Sequence, residues 1–123
     1  MGKRVLVVED NEDIALVVKT TLRLRDYEVE TAFDGLLGLA AARSAPYDLI
    51  ILDVLMPEMD GFQVLEALKA DESTASVPVV LFTANLTSAD RQMAMDGGAA
   101  GVLIKPFDPM TFIREVGVFV GEA

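Results

Sequence analysis

The 123-residue sequence contains no cysteine, no histidine and no tryptophan, and its ten lysines and arginines face twenty aspartates and glutamates. Without cysteine there are no disulfides and no thiolate metal sites; without histidine the usual imidazole base and transition-metal ligand are missing. A formal net charge of -10 disfavours attraction to polyanions, so neither direct nucleic-acid binding nor a membrane surface is expected. The opening MGKRVLVVEDN carries too short an apolar run for a signal peptide, and no stretch approaches a membrane span. A cytoplasmic location is the expectation. The chemistry left open is that of carboxylates, which suits hard, oxygen-binding cations.

What is present is ample core material, 52% hydrophobic, in a length that fits one domain over residues 1–123. Five short apolar runs recur, Val5 to Val8, Tyr27 to Ala32, Leu49 to Leu52, Val79 to Phe82 and Val102 to Ile104. All but the second are continuous and suit strands buried on both faces, whereas the second alternates and suits an edge. Between them lie helical patterns: Ile14, Val17, Val18, Thr21 and Leu22 behind an Asn11 N-cap; Leu36, Leu39 and Ala40; Phe62, Leu65 and Leu68; a segment from Ser88 to Asp96; and Phe112, Ile113, Val116 and Phe119 or Val120 behind Pro109. Gly97-Gly98 reads as a helix stop. Five alternations of strand and helix predict an α/β fold, a five-stranded parallel sheet of order 2-1-3-4-5 with helices on both faces, flavodoxin-like and (βα)5.

One charge is out of keeping with its surroundings. In LIILDVLMPEMDG, residues 49 to 61, Asp53 ends an unbroken apolar run, and a carboxylate there is costly unless paired or metal-bound. The carboxyl end of the first strand leads into Glu9 and Asp10, the fourth into Thr83, and the fifth into Lys105-Pro106. Open α/β sheets bind ligands at these ends, so these four polar side chains are expected to converge with Asp53 on one crevice. Lys105 offsets one negative charge; Mg²⁺ would offset more, since it takes carboxylates and keeps room for a phosphate oxygen. Such a pocket suits phosphoryl transfer, with Asp53 as nucleophile forming an acyl phosphate.

The segments VLVVEDN, LIILDVLMPEMDG, VVLFTA and LIKPF, in this order and spacing, resemble the signature segments of bacterial response-regulator receiver domains, the chemotaxis receiver among them. The resemblance covers essentially the whole chain. It implies that Asp53 accepts a phosphoryl group from the phosphohistidine of a sensor histidine kinase or phosphotransfer protein. It implies that Glu9, Asp10, Asp53 and the main-chain oxygen of Leu55 hold Mg²⁺, that Thr83 and Lys105 bind the phosphoryl oxygens, and that the Lys105-Pro106 bond is cis. Thr83, Ala84, Val102, Lys105 and Pro106 are the expected switch residues. Val102 stands where the family often carries Tyr or Phe, so the usual coupling of hydroxyl to ring cannot operate in that form. A shift of the loop from Ala84 to Ser88, or a partner on the face built by helix four, strand five and helix five, is expected instead, that partner being an effector protein or a second copy.

Blander readings stand beside these. Asp53 alone could cap a turn, Glu9 and Asp10 could compensate a helix dipole, and Lys105 could be a surface lysine. Val102, Met93, Met95 and Val118 could be packing, scattered surface residues or a partner patch. The alternative function is an Mg-dependent phosphohydrolase of the haloacid-dehalogenase type, which also uses an aspartate nucleophile. That family usually carries a second aspartate two residues on, where this chain has Leu55. Leu55 and Asn85 are expected to flank the path of an attacking water. A flavin or nucleotide binder lacks tryptophan, GxGxxG and a Walker lysine. The reading is thus a regulatory phosphoacceptor that assists its own phosphorylation and dephosphorylation rather than an enzyme, as either a single-domain regulator or a receiver within a longer protein.

Overall fold

The computed structural model describes residues 2–84 and 87–121. Strands β1 (Arg4–Val8), β2 (Glu28–Ala32), β3 (Leu49–Asp53), β4 (Val79–Thr83) and β5 (Gly101–Ile104) alternate with helices α1 (Glu12–Arg23), α2 (Gly35–Ser44), α3 (Gly61–Ala70), α4 (Ser88–Asp96) and α5 (Pro109–Phe119). All strand pairs are parallel and the order is β2-β1-β3-β4-β5, as the alternation predicts. Among the described residues no helix is long and apolar enough to cross a membrane.

Period-two alternation divides the core between the two faces. Leu6, Val8, Ile50, Leu52, Val79 and Leu81 pack with side chains of α2, α3 and α4. Val5, Val7, Leu49, Ile51, Val80, Phe82 and Leu103 pack with α1 and α5. The central strands are buried along their length, as their continuous apolar runs demand, and β2 shows the half-wet alternation of an edge. β5 departs from expectation. Its apolar run suggested burial on both faces, but at the edge where the predicted order puts it Leu103 is buried and Ile104 exposed.

Helix starts follow from their caps. The side chains of Asn11, Asp34, Asp60, Thr87 and Asp108 each accept a main-chain N–H of the first turn, supplying partners the helix itself cannot. Gly97 and the positive-φ Gly98 close α4, as predicted. Two helix faces differ from the sequence pattern. Val17 is exposed, because α1 buries Ala15, Val18, Thr21 and Leu22. Leu36 and Ala40 face solvent, because α2 approaches β1 through Gly38, where an added Cβ would fall 2.8 Å from the Val8 methyls. Close approach sets the phase of that helix, and large apolar residues are left outside it.

Candidate functional site

The parallel order places β1, β3 and β4 side by side, so residues at their carboxyl ends lie in one row. Val7 and Ile51 point to the α1/α5 face, and the alternation carries Glu9 and Asp53, two residues further on, to that same face. The ladder continues to Glu9, whose N–H donates to Ala32 O at 3.0 Å. Lys105 directly follows β5, and its main-chain N–H donates to the Thr83 carbonyl at 2.9 Å, which ties it to the end of β4. The Lys105-Pro106 bond is cis.

The structure brings together the side chains of Glu9, Asp10, Asp53 and Lys105, and Thr83 is tied to Lys105 through its main-chain carbonyl. The Lys105 ammonium lies 2.6 Å from Glu9 Oε1 and donates to Asp53 Oδ1 at 3.1 Å. Glu9 Oε2 accepts the Asn11 main-chain N–H at 3.2 Å. Carboxylate oxygens of Glu9, Asp10 and Asp53 lie within 4.8 Å of one another. Glu9, Asp53 and Thr83 are buried, while Asp10 and Ala84 are exposed and Lys105 is half-buried.

Burial first, then the hydrogen bond and charge of Glu9, push the Asp53 carboxyl up to about 7, against the opposing pull of Lys105. For Lys105, burial would lower the pKa, but the Glu9 hydrogen bond and the charges of Asp53 and Glu9 raise it on balance. One ammonium is therefore insufficient for this cluster. An all-oxygen donor set with excess negative charge, open to solvent on the Asp10 side, fits a hard divalent cation such as Mg²⁺.

These observations decide the family, since residues 5–116 match the response regulator receiver domain. The chain belongs to that family. This receiver domain is 44% identical over 117 residues to the response regulator PleD of Caulobacter vibrioides, covering 94% of the chain and 26% of PleD. Its fold matches the chemotaxis protein CheY4 of Vibrio cholerae with a TM-score of 0.93 and 36% identity, covering 97% and 99% of the two chains. It also matches the receiver domain of the sensor histidine kinase PA1611 from Pseudomonas aeruginosa, whose structure has a magnesium ion coordinated in the active site cleft. There the TM-score is 0.90 at 30% identity, over 98% and 99% of the chains. The chain spans between 26% and 47% of the length of the curated relatives it matches.

As a receiver domain of the two-component type, the molecule is a regulatory phosphoacceptor module. The haloacid-dehalogenase alternative gains no support from these likenesses.

The remaining predicted residues are dispersed. Leu55 is 70% exposed, two residues beyond Asp53, and Val102 is half-buried against the α2–α4 side of the core. Pro106 is exposed. Met93, Met95 and Val118 are exposed at 50%, 67% and 56%. Asn85 and part of the Ala84 to Ser88 loop lie outside the described residues. Two features were not read from the sequence. Asn11 anchors Glu9 through its main-chain N–H as well as capping α1. Phe82, the register partner of Asp53, lies beneath the Lys105 ammonium, 4.9 Å from ring centroid to Nζ. An aromatic just before the strand-end Thr83 was the available signal.

Proposed function

We propose that Asp53 is the phosphoacceptor of a two-component phosphorelay and that residues 1–123 act as one receiver unit. The observation that carries this reading is the Lys105 ammonium bridging the buried Glu9 and Asp53 carboxylates at the carboxyl end of the sheet. An Asp53 oxygen forms the new P–O bond as the P–N bond of the donor phosphohistidine breaks, its electron pair staying on the imidazole nitrogen. Lys105 turns towards the phosphoryl oxygens, and Thr83, on the neighbouring strand end, supplies a hydroxyl to them. Glu9, Asp10, Asp53 and the Leu55 main-chain oxygen would hold Mg²⁺, which when bound offsets charge on the phosphoryl oxygens.

The donor is a sensor histidine kinase or a phosphotransfer protein. An apolar cleft of about 310 Å³ adjoins Lys105, lined by Ile14, Val17, Phe82, Pro106, Phe107 and Pro109, and supports docking of such a donor beside Asp53. Readout runs through Thr83, Ala84, Val102, Lys105 and Pro106 to the face of α4, β5 and α5, where an effector or a second copy binds. Exposed Met93, Met95 and Val118 belong to the two helices of that face and support the assignment. The strong negative charge supports a module that does not itself contact nucleic acid, and a cytoplasmic location is part of the same reading.

Acetyl phosphate with Mg²⁺, followed by intact mass and peptide mapping, tests the reading. The expected result is one phosphoryl group on Asp53 that Asp53→Asn does not acquire. No mass gain in the wild-type protein would overturn it.

A further inference from the structure

Lys105 follows β5, yet it reaches across β4 to touch Asp53 on β3. Phe82 lies on that path. The strand register pairs it with Asp53 on one side and Leu103 on the other, so its ring occupies the layer between the carboxylate and the strand that supplies the lysine. Lys105 lies two residues beyond Leu103, on the same face and one layer higher. Its Nζ comes to 4.9 Å from the Phe82 ring centroid. The ring attracts the ammonium through its quadrupole.

Phe82 is itself held in place. It is fully buried, with Phe107 at 5.9 Å and Phe112 at 5.8 Å between ring centroids, and those two rings lie 4.5 Å apart. β4, the turn after Lys105 and α5 thus each contribute a ring to this cluster, and of the three it is Phe82 that the strand register places beneath the ammonium.

We propose that Phe82 is a positioning residue for phosphoryl transfer, its ring face holding the Lys105 ammonium where it bridges Glu9 and Asp53. The proposal rests on Asp53 being the phosphoacceptor. An aliphatic residue would fill the same space but present no face of negative potential. Lys105 would keep its carboxylate partners and lose the attraction of the ring.

The test compares the whole wild-type chain with Phe82→Leu and Phe112→Leu. Phe112 shares the packing of the ring cluster but comes from α5, outside the strand register that places Phe82 beneath the lysine. In ¹H–¹³C NMR the Lys105 ε-methylene protons are expected upfield of those of the other lysines in the wild type and in Phe112→Leu, and unshifted in Phe82→Leu. Phosphorylation by acetyl phosphate with Mg²⁺ is expected to be about three- to tenfold slower in Phe82→Leu than in Phe112→Leu. An unshifted Lys105 resonance in the wild type overturns the proposal, and that arm needs no variant to fold. Equal rates in the two variants overturn it as well. A wild-type chain that took no phosphoryl group would overturn the phosphoacceptor reading instead, while the resonance would still decide whether the ring supports the lysine.

Discussion

The ammonium of Lys105 sits closest to Glu9, 2.6 Å from its Oε1, with Asp53 Oδ1 at 3.1 Å. Glu9 is wholly buried and is held at its other oxygen by the Asn11 N–H, so both ends of this carboxylate are fixed. Asp53 therefore shares its cation with a better-placed competitor. Glu9→Gln is expected to bring the Asp53 pKa down from about 7, because the Glu9 hydrogen bond and charge both raise it. It should stay above 3.8, because burial, the largest cause, is untouched. A ¹³C titration of the Asp53 carboxyl in metal-free buffer measures this, and an unmoved midpoint would remove Glu9 from the account.

The raised Asp53 pKa also sets a pH dependence of stability. In metal-free protein the folded state holds the Asp53 proton up to about pH 7, whereas an unfolded chain releases it near 3.8. The folded state binds more protons across that window, so this contribution is complete below it and is lost as pH rises through about 7. Asp53→Asn does not titrate. The melting temperature of the variant minus that of the wild type should climb from pH 3.8 to about 7 and then level off. Mg²⁺ competes for the same carboxylate, so its binding to the wild type should tighten over the same interval. Melts in chelator across the range check the first point, and a flat difference would contradict it.

Leu55 offers a different kind of control. It is 70% exposed two residues beyond Asp53, so an incoming water is expected to meet an aliphatic side chain where a polar one could orient it. Leu55→Asn is expected to speed loss of the phosphoryl group severalfold while leaving its uptake near the wild-type rate. Decay after removal of the donor, followed by intact mass, measures this. Unchanged decay would mean that Leu55 does not control access of water.

The row of Glu9, Asp53, Thr83 and Lys105 was legible because strand-end polar residues follow continuous apolar runs, and parallel topology aligns those ends. The edge position of β2 was legible for a similar reason, since alternation records a wet face. Positions governed by close approach were not. Leu36 and Ala40 look like a buried face until Gly38 is seen against Val8, and Val17 looks buried until α1 is seen to pack through Ala15. Phe82 escaped notice because an aromatic inside a core strand reads as packing. Its second role appears only when the register sets it beside Asp53 and beneath Lys105.

Gly61 carries a similar constraint, and flexible backbone angles are not the reason for it. The positive φ in the loop after Asp53 belongs to Glu58, and Gly61 is the first residue of α3. Its N–H donates to Val54 O at 2.9 Å, which folds the helix start onto the end of β3. A Cβ there would fall 2.5 Å from the Asp53 carbonyl oxygen and 2.8 Å from Val54 Cα, main-chain atoms of the buried β3 terminus that cannot swing aside. Gly61→Ala is therefore expected to destabilise by about 1–3 kcal/mol, the range for forcing atoms into a filled core. It should also slow phosphorylation, because relief of the clash displaces Asp53 from Lys105. Gly117→Ala is the matched control, since its Cβ would meet only the Tyr27 hydroxyl, at 3.9 Å, within α5. There the greater helix propensity of alanine should stabilise by about 0.5–1 kcal/mol. Denaturant melts and acetyl phosphate kinetics on the two variants should move stability in opposite directions and phosphorylation in only one. Equal stability changes in both would show that the approach of α3 to Asp53 is looser than these distances require.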